Sequence, residues 1–370
     1  MQVTAVEAIP IRMGIIPLEE PGGLAPYVSS EHAHTSIDRT LIRVETSNGV
    51  VGWGEIRTPF SSASVTKSVI DDVIAPKIVG ESVWEAFEAL RGFSFTYLDI
   101  RPAIGGVEMA LWDSLGRYLG EPLHRLLGGK QEDTVDVACC LGILSPEESA
   151  VFAEWAVDAG FEVLKTKAGR DWEDDCERVT AMARATNGRI DFRIDPNQGW
   201  SVPETVRVGA RFANADVPVQ YLEQPIRVTS FDTLRSLRDR SPIPLAINED
   251  TYIQYNMYQT LVSGGVDACV VDMVPAGGVK NVLSLAGLAQ EAGISLTHHC
   301  GFDLGIKTAA MLHVVASHSA FDLIPDTAYY AMEDDVVTDP LTIEDGALAV
   351  PDGPGLGVEV DPDLIEEYRL

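Results

Sequence analysis

The sequence predicts an α/β protein in which a barrel of parallel strands follows a smaller α+β domain. Three observations carry this. From about residue 134, short apolar, β-branched runs alternate with helical stretches. Eight such runs fit into about 200 residues, which suits a closed barrel better than an open sheet. The first 125 or so residues follow a different pattern.

In that first part, "TLIRVETSNGVVGWGEI" alternates apolar and polar residues around Asn48-Gly49, a strong hairpin signal. "AIGGVEMALWDSLGRYLG" then reads as an amphipathic helix ended by glycine. Barrel strands are expected at "TVDVACCLG", "EVLKTKAG", "IDFRIDPNQ", "VQYLEQP", "PLAINED", "ACVVDMV", "ISLTHHC" and "AFDLI". Segments between them, such as "SPEESAVFAEWAVDAG", carry helix-start residues in front and Gly behind. The tail from about residue 335 has strand-and-turn character. The expected division is a capping domain over 1–125, with 335–370 packing back on it, and a barrel over 130–334.

Composition excludes several function classes. Acidic residues outnumber basic ones 56 to 27, for a net charge of −29, the wrong sign for nucleic acid or an anionic membrane. The surplus is spread along the chain and reads as a solvated surface, resembling halophilic proteins that stay soluble in strong salt. Five cysteines form no CxxC pair, which fits reduced thiols in a cytoplasmic protein. No apolar run reaches membrane-spanning length, and no signal peptide is evident.

Chemistry in such a barrel sits at the C-terminal ends of the strands. Those ends offer Lys165 and Lys167, Asp195 and Asn197, Glu223, Glu249 and Asp250, Asp272, and His298 and His299. Asp195, Glu223 and Glu249 are 28 and 26 residues apart, about one strand-helix unit each, so three carboxylates converge at one rim. Hard oxygen donors in that number suit Mg²⁺. Lys165 and Lys167 are two of only seven lysines, and residues i and i+2 of a strand share a face. Two neighbouring ammonium groups raise the cost of charging either, which lowers a lysine's pKa and makes it a usable base.

With these motifs in order, the sequence resembles the enolase superfamily and, within it, the mandelate racemase subgroup. "LKTKAG" matches that family's Lys-x-Lys, and "RIDPNQ", "YLEQP" and "AINED" match its three metal strands. Asp272 in "VVDMVPAGGV" stands where muconate-lactonizing relatives carry a catalytic lysine, and "SLTHHCG" supplies His299 as its partner. The resemblance implies a modified (β/α)₇β TIM-type barrel under a capping domain, and Mg²⁺ held by Asp195, Glu223 and Glu249. It implies abstraction of the proton α to a carboxylate by Lys167, with Lys165 beside the enediolate and His299, oriented by Asp272, on the opposite face. Asn197 is expected to donate to the substrate. Asp250 stays open as the third ligand, His298 as the histidine, and Asp322 and Asp326 as the acid near the substrate carboxylate.

The loop 16–35 and the stretch 57–64 are expected to close over the substrate, with Tyr27, His32 and His34 as contacts. The expected partner is a small carboxylate, and the resemblance implies a homo-oligomer. The expected activity is dehydration of a hydroxy acid, such as an acid sugar or tartrate-like diacid, with racemisation or epimerisation by the same residues as the alternative. A non-catalytic barrel would show gaps in the constellation, and there are none.

Overall fold

The structure, a computed structural model, describes residues 1–57, 63–93 and 100–370. The expected lid stretch at 57–64 therefore falls largely outside the described residues.

The N-terminal part is built on an antiparallel sheet of Val3–Gly14, Ser36–Thr46 and Val51–Arg57, in that spatial order. The last two strands form the hairpin read at Asn48-Gly49, where Gly49 adopts φ +81°. Helix Arg101–Leu119 lies across the sheet and ends on Gly120 in the left-handed conformation. The approach is close because "GWG" leaves room. A Cβ on Gly52 or Gly54 would stand 2.1 Å from the carbonyl oxygen of Ala110 or Gly106. This helix is not the amphipathic one expected. It is buried from Ala103 through Leu111, because the sheet covers one side and the barrel loop around Val274 the other.

Eight parallel strands form the barrel: Ala138–Leu141, Val163–Lys167, Asp191–Asp195, Val219–Glu223, Leu245–Ile247, Ala268–Val271, Ser295–His298 and Asp326–Thr327. The eighth pairs with the first. The seam between seventh and eighth has no ladder among the described residues but is bridged by Leu323 N donating to Leu296 O at 3.1 Å. Helices follow the first seven strands, and two of them start in capping boxes, Ser145 with Glu148 and Ser201 with Glu204. A single turn of 3₁₀ helix, Tyr329–Ala331, follows the eighth strand. The result is the (β/α)₇β arrangement, with strand ends opening toward the capping sheet. None of the described helices is long and apolar enough to cross a membrane.

Two strand expectations need correction. The first run splits, because Thr134–Asp136 leaves the barrel to pair with Ala347–Ala349 of the tail. The eighth strand is not "AFDLI" but the two residues from Asp326. Asp322 in that run instead bonds Ser295 Oγ (2.9 Å) and Leu296 N (2.8 Å) at the start of the seventh strand.

The tail packs on helix Arg101–Leu119, with Leu356 N donating to Asp113 Oδ1 at 2.8 Å and Arg117 Nη1 to Glu359 at 2.7 Å. A buried polar tie also joins the N-terminal sheet to the barrel. Glu55 accepts from Leu304 N (2.9 Å) and Lys307 N (3.0 Å) at the start of helix Gly305–Ala316, where the helix dipole favours an anion. Arg39 Nε lies 3.1 Å from the same carboxylate.

Candidate active site

Strand alternation decides which side chains enter the barrel mouth. Lys165 and Lys167 share the inner face, while Thr166 turns outward and accepts from Arg178 Nη1 at 2.6 Å. Lys165 Nζ donates to Glu223 Oε1 (2.7 Å) and Asp326 Oδ2 (3.0 Å) and stands 3.5 Å from Asp195 Oδ2. Lys167 Nζ donates to Asp195 Oδ2 (2.6 Å) and Asn197 Oδ1 (2.9 Å). Asn197 Nδ2 reaches Glu249 Oε1 at 3.3 Å. Residues from five strand ends thus form one connected network.

The backbone is bent to achieve this. Asn197 (φ +46°), Gln198 (φ +66°) and Gln224 (φ +38°), just past the third and fourth strands, all lie in the left-handed region that non-glycine residues avoid. Asn197 N donates back to Asp195 Oδ1 at 3.0 Å, which locks the turn.

Charge placement separates the two lysines. Burial opposes the Lys165 ammonium, but Asp326, Glu223 and Asp195 outweigh it and hold it well above the usual lysine range. The expected lowering by the lysine pair is therefore overturned at Lys165, because three carboxylates surround it. Burial would raise Asp195, yet Lys167 and Lys165 hold it down to about 2. Burial pushes the Glu223 and Glu249 carboxyls up.

A second cluster sits at the ends of the sixth and seventh strands. His299 Nδ1 faces Asp272 Oδ2 at 3.4 Å. Burial and then the Lys165 charge lower His299 to about 4, against the pull of Asp272. Lys307, from the helix after the seventh strand, donates to Asp272 Oδ2 at 2.8 Å and Asp303 Oδ2 at 2.9 Å. Burial opposes the Asp272 charge, but Lys307 and the bond from His299 hold its carboxyl far below the usual range.

The structure places the members of each open pair differently. Both Asp250 oxygens are taken by amides, Gln224 Nε2 at 2.7 Å and Asn256 Nδ2 at 2.9 Å, whereas Glu249 faces the network. His298 accepts from Met273 N at Nε2 (3.2 Å) and donates from Nδ1 to His299 O (2.8 Å), so main-chain partners occupy both its ring nitrogens. Asp326 is in the network, and Asp322 is at the opposite end of the barrel strands. Tyr27 is buried, edge-on to Phe302 at 4.6 Å, within charge reach of Lys165. His32 is not brought to the site. Its side chain is 63% exposed and lies 3.7 Å from Glu31.

Residues 148–364 match the family model described as enolase C-terminal domain-like, and 13–128 match the mandelate racemase / muconate lactonizing enzyme N-terminal domain. The chain belongs to the mandelate racemase / muconate lactonizing enzyme family of the enolase superfamily. It is 29% identical to a D-galactarolactone cycloisomerase of Agrobacterium fabrum, covering 93% of this chain and 95% of that one. It is also 29% identical to a probable glucarate dehydratase of Streptomyces coelicolor, covering 98% and 89%. A crystal structure of an enolase-type putative sugar isomerase from Streptomyces coelicolor superimposes with a TM-score of 0.87 at 29% identity, over 100% of this chain and 96% of that one.

Enzymes of the mandelate racemase / muconate lactonizing family use Mg²⁺. Among the described residues, no three His, Cys, Asp or Glu side chains are gathered tightly enough to hold a metal as they stand. The Lys165 ammonium bridges Asp195 and Glu223 instead. The donor set nonetheless fits a hard cation. Glu223 Oε2 and Glu249 Oε2 are buried oxygens without a hydrogen-bond partner, and a carboxylate is seldom left so.

Two further site residues in this family member escaped the sequence reading. Arg193 lies inside the barrel and donates to Asp326 Oδ1 at 2.9 Å and Ile324 O at 2.6 Å. Its signal was available, since Arg193 and Asp195 are i and i+2 of one strand. Lys307 had none beyond the scarcity of lysine, because its helix contacts Asp272 only through the fold.

Proposed function

We propose that this enzyme removes the proton α to the carboxylate of a hydroxy acid and expels the β-hydroxyl, with Mg²⁺ as cofactor. The observation that carries the reading is the pair of unlike basic groups at one mouth: Lys167 on the second strand and His299, backed by Asp272, at the end of the seventh. Identity of 29% to a probable glucarate dehydratase over nearly the whole chain supports dehydration in particular.

Lys165, surrounded by Glu223, Asp326 and Asp195, stays charged and binds the substrate carboxylate. Lys167 takes the α-proton, and the electron pair left behind moves into the enediolate beside the Lys165 ammonium. Asp195, Glu223 and Glu249 would hold Mg²⁺, which supplies Lewis-acid stabilisation of negative charge on carboxylate oxygen. His299, neutral in the free site, takes up a proton once the anionic substrate offsets the Lys165 charge and gives that proton to the β-hydroxyl, which leaves as water, while Asp272 orients and compensates the imidazolium. The resulting enol becomes the 2-keto acid. Asn197, held by Lys167 and Glu249, presents its amide at the same mouth.

Racemisation or epimerisation uses the same two groups when no β-hydroxyl is present, since His299 then returns a proton to the opposite face. Incubating the protein with Mg²⁺ and a library of hydroxy acids in D₂O, read by NMR and ketone detection, separates these outcomes. Ketone with α-exchange is expected. Exchange without ketone would assign a racemase, and neither would refute the reading.

A further inference from the structure

We propose that Glu108, a carboxylate of the capping domain, is a positioning residue for the Asp272–His299 pair: it holds the loop after the sixth barrel strand and so fixes the Asp272 carboxylate behind the imidazole. This rests on the acid-base roles proposed for His299 and Lys167 and deepens that reading.

The barrel helices differ in how their first turns are satisfied. Those after the first three strands are capped from their own sequence, by Ser145, Asp171 and Ser201. Helices Val279–Ala292 and Gly305–Ala316, after the sixth and seventh strands, start behind Gly278 and Leu304, which have no side-chain oxygen to offer. Their first N–H groups turn to the capping domain instead. Glu108 Oε2 accepts from Val279 N, and its Oε1 from Lys280 N at 3.4 Å. Glu55 does the same for Leu304 N and Lys307 N on the next helix. The helix dipole favours an anion at these places, and a buried N–H left unpaired is costly. The two helices served in this way follow the strands that lead into Asp272 and His299.

Between Asp272 and Val279 the chain is a short closed loop. Val274 N donates to Asp272 Oδ1 at 2.9 Å, Ala276 N to Asp272 O at 3.0 Å, and Gly278 N to Met273 O at 2.7 Å. With Oδ1 held by the loop, Oδ2 is turned to His299 Nδ1 (3.4 Å) and Lys307 Nζ (2.8 Å). Glu108 grips the far end of this loop. Gly105, one turn earlier on helix Arg101–Leu119, touches its middle, where a Cβ would stand 2.5 Å from Val274 O and 2.8 Å from Val274 Cα. Gly278, at φ +123°, passes so close to Glu108 that a Cβ there would be 2.1 Å from Oε2. The loop is clamped by the capping helix, so moving it turns the Asp272 carboxylate. The main chain of Lys167 is held by the barrel itself. Arg178, from the helix Trp172–Thr186 that follows that strand, donates to Lys167 O at 2.5 Å and Thr166 Oγ1 at 2.6 Å. Disturbing the Glu108 clamp is therefore felt at one face of the substrate carbon and not at the other.

The test compares Glu108→Gln, which keeps the size and one acceptor oxygen, with Glu108→Ala. It adds Gly105→Ala, which leaves Glu108 in place and pushes on Val274. Circular dichroism establishes which variants are folded, and Glu108→Gln carries the test where the other two are not. In D₂O, exchange at the His299 face should fall by about 10- to 10²-fold in Glu108→Ala and by less in Glu108→Gln, while exchange at the Lys167 face, read on the other stereoisomer of the same substrate, moves less than about twofold. Gly105→Ala should show the same one-sided loss. A merely structural residue would lower the amount of folded enzyme, and with it both faces by one factor. A second readout needs no turnover. In protein made with nitrogen-labelled histidine, the ring signals of His299, identified by their absence in His299→Asn, should shift in every folded variant. Those of the stacked pair His124 and His313, away from the loop, should stay in place. Unmoved His299 signals, or exchange lowered equally at both faces, overturn the proposal. Shifted signals in a protein whose wild type exchanges no α-proton keep the positioning role and remove the proton-abstraction reading.

Discussion

Lys307 donates to Asp272 Oδ2 at 2.8 Å, the same oxygen that faces His299 Nδ1. The carboxylate behind the histidine is therefore shared between a permanent cation and the imidazole. Lys307 limits how strongly Asp272 can stabilise imidazolium. Lys307→Met should raise the pH midpoint of proton exchange at the His299 face and leave the Lys167 face unchanged. A pH profile in D₂O with stereospecifically labelled substrate checks this.

The same neighbourhood sets an acid limit. Burial and the Lys165 charge hold His299 at about 4, below its ordinary value. A base acts in its deprotonated form, so lowering its pKa extends activity toward acid. In Lys167→Ala, where only the His299 face remains, exchange at sub-saturating substrate, which reports the free enzyme, should persist well below pH 6.5, the unperturbed midpoint near which an ordinary histidine would fail. A midpoint at the unperturbed value would mean the burial and charge seen here do not act.

Glu223 tests the metal. It lies on Lys165 at 2.7 Å and keeps Oε2 buried without a partner. Glu223→Gln should abolish turnover and weaken Mg²⁺ binding at least tenfold by calorimetry, with the fold retained by circular dichroism. Near wild-type turnover would remove Glu223 from the site.

Glu55 tests the tie between capping sheet and barrel. Its carboxylate serves Arg39, Leu304 N and Lys307 N inside the protein. Glu55→Ala strands a buried guanidinium, and breaking a buried pair from one side typically costs about 3–5 kcal/mol. Urea denaturation should show a loss of that order.

Much of this was legible in the sequence, for local reasons. The hairpin at Asn48-Gly49 follows from turn chemistry, and the barrel helices announce themselves through cap residues such as Ser145 and Ser201. Lys165 and Lys167 stood out as two scarce lysines on one strand face, and Asp195, Glu223 and Glu249 because they follow one another at about one strand-helix unit each. What failed was decided by tertiary contact. Asp322 looked like a strand residue until it capped the neighbouring strand, and helix Arg101–Leu119 looked amphipathic until the barrel covered its second side. Lys307 acquires meaning only where the fold places it, beside Asp272.

The net charge of −29 predicts a response to salt. At 1 M salt the screening length falls to about 3 Å, which relieves repulsion among surface carboxylates. The melting temperature should rise with KCl well beyond physiological concentration. A flat profile would contradict adaptation to strong salt.

The central claim is that Lys167 and His299 serve opposite faces of one substrate carbon. The direct measurement is α-proton exchange in D₂O, followed by NMR for both stereoisomers of a substrate, in Lys167→Ala and His299→Asn. Lys167→Ala should stop exchange of the isomer whose proton faces Lys167 and leave the other exchanging slowly. His299→Asn should give the reverse, each loss being about 10²- to 10⁴-fold. Equal loss from both isomers in both variants would contradict the account and leave a single base with a structural histidine.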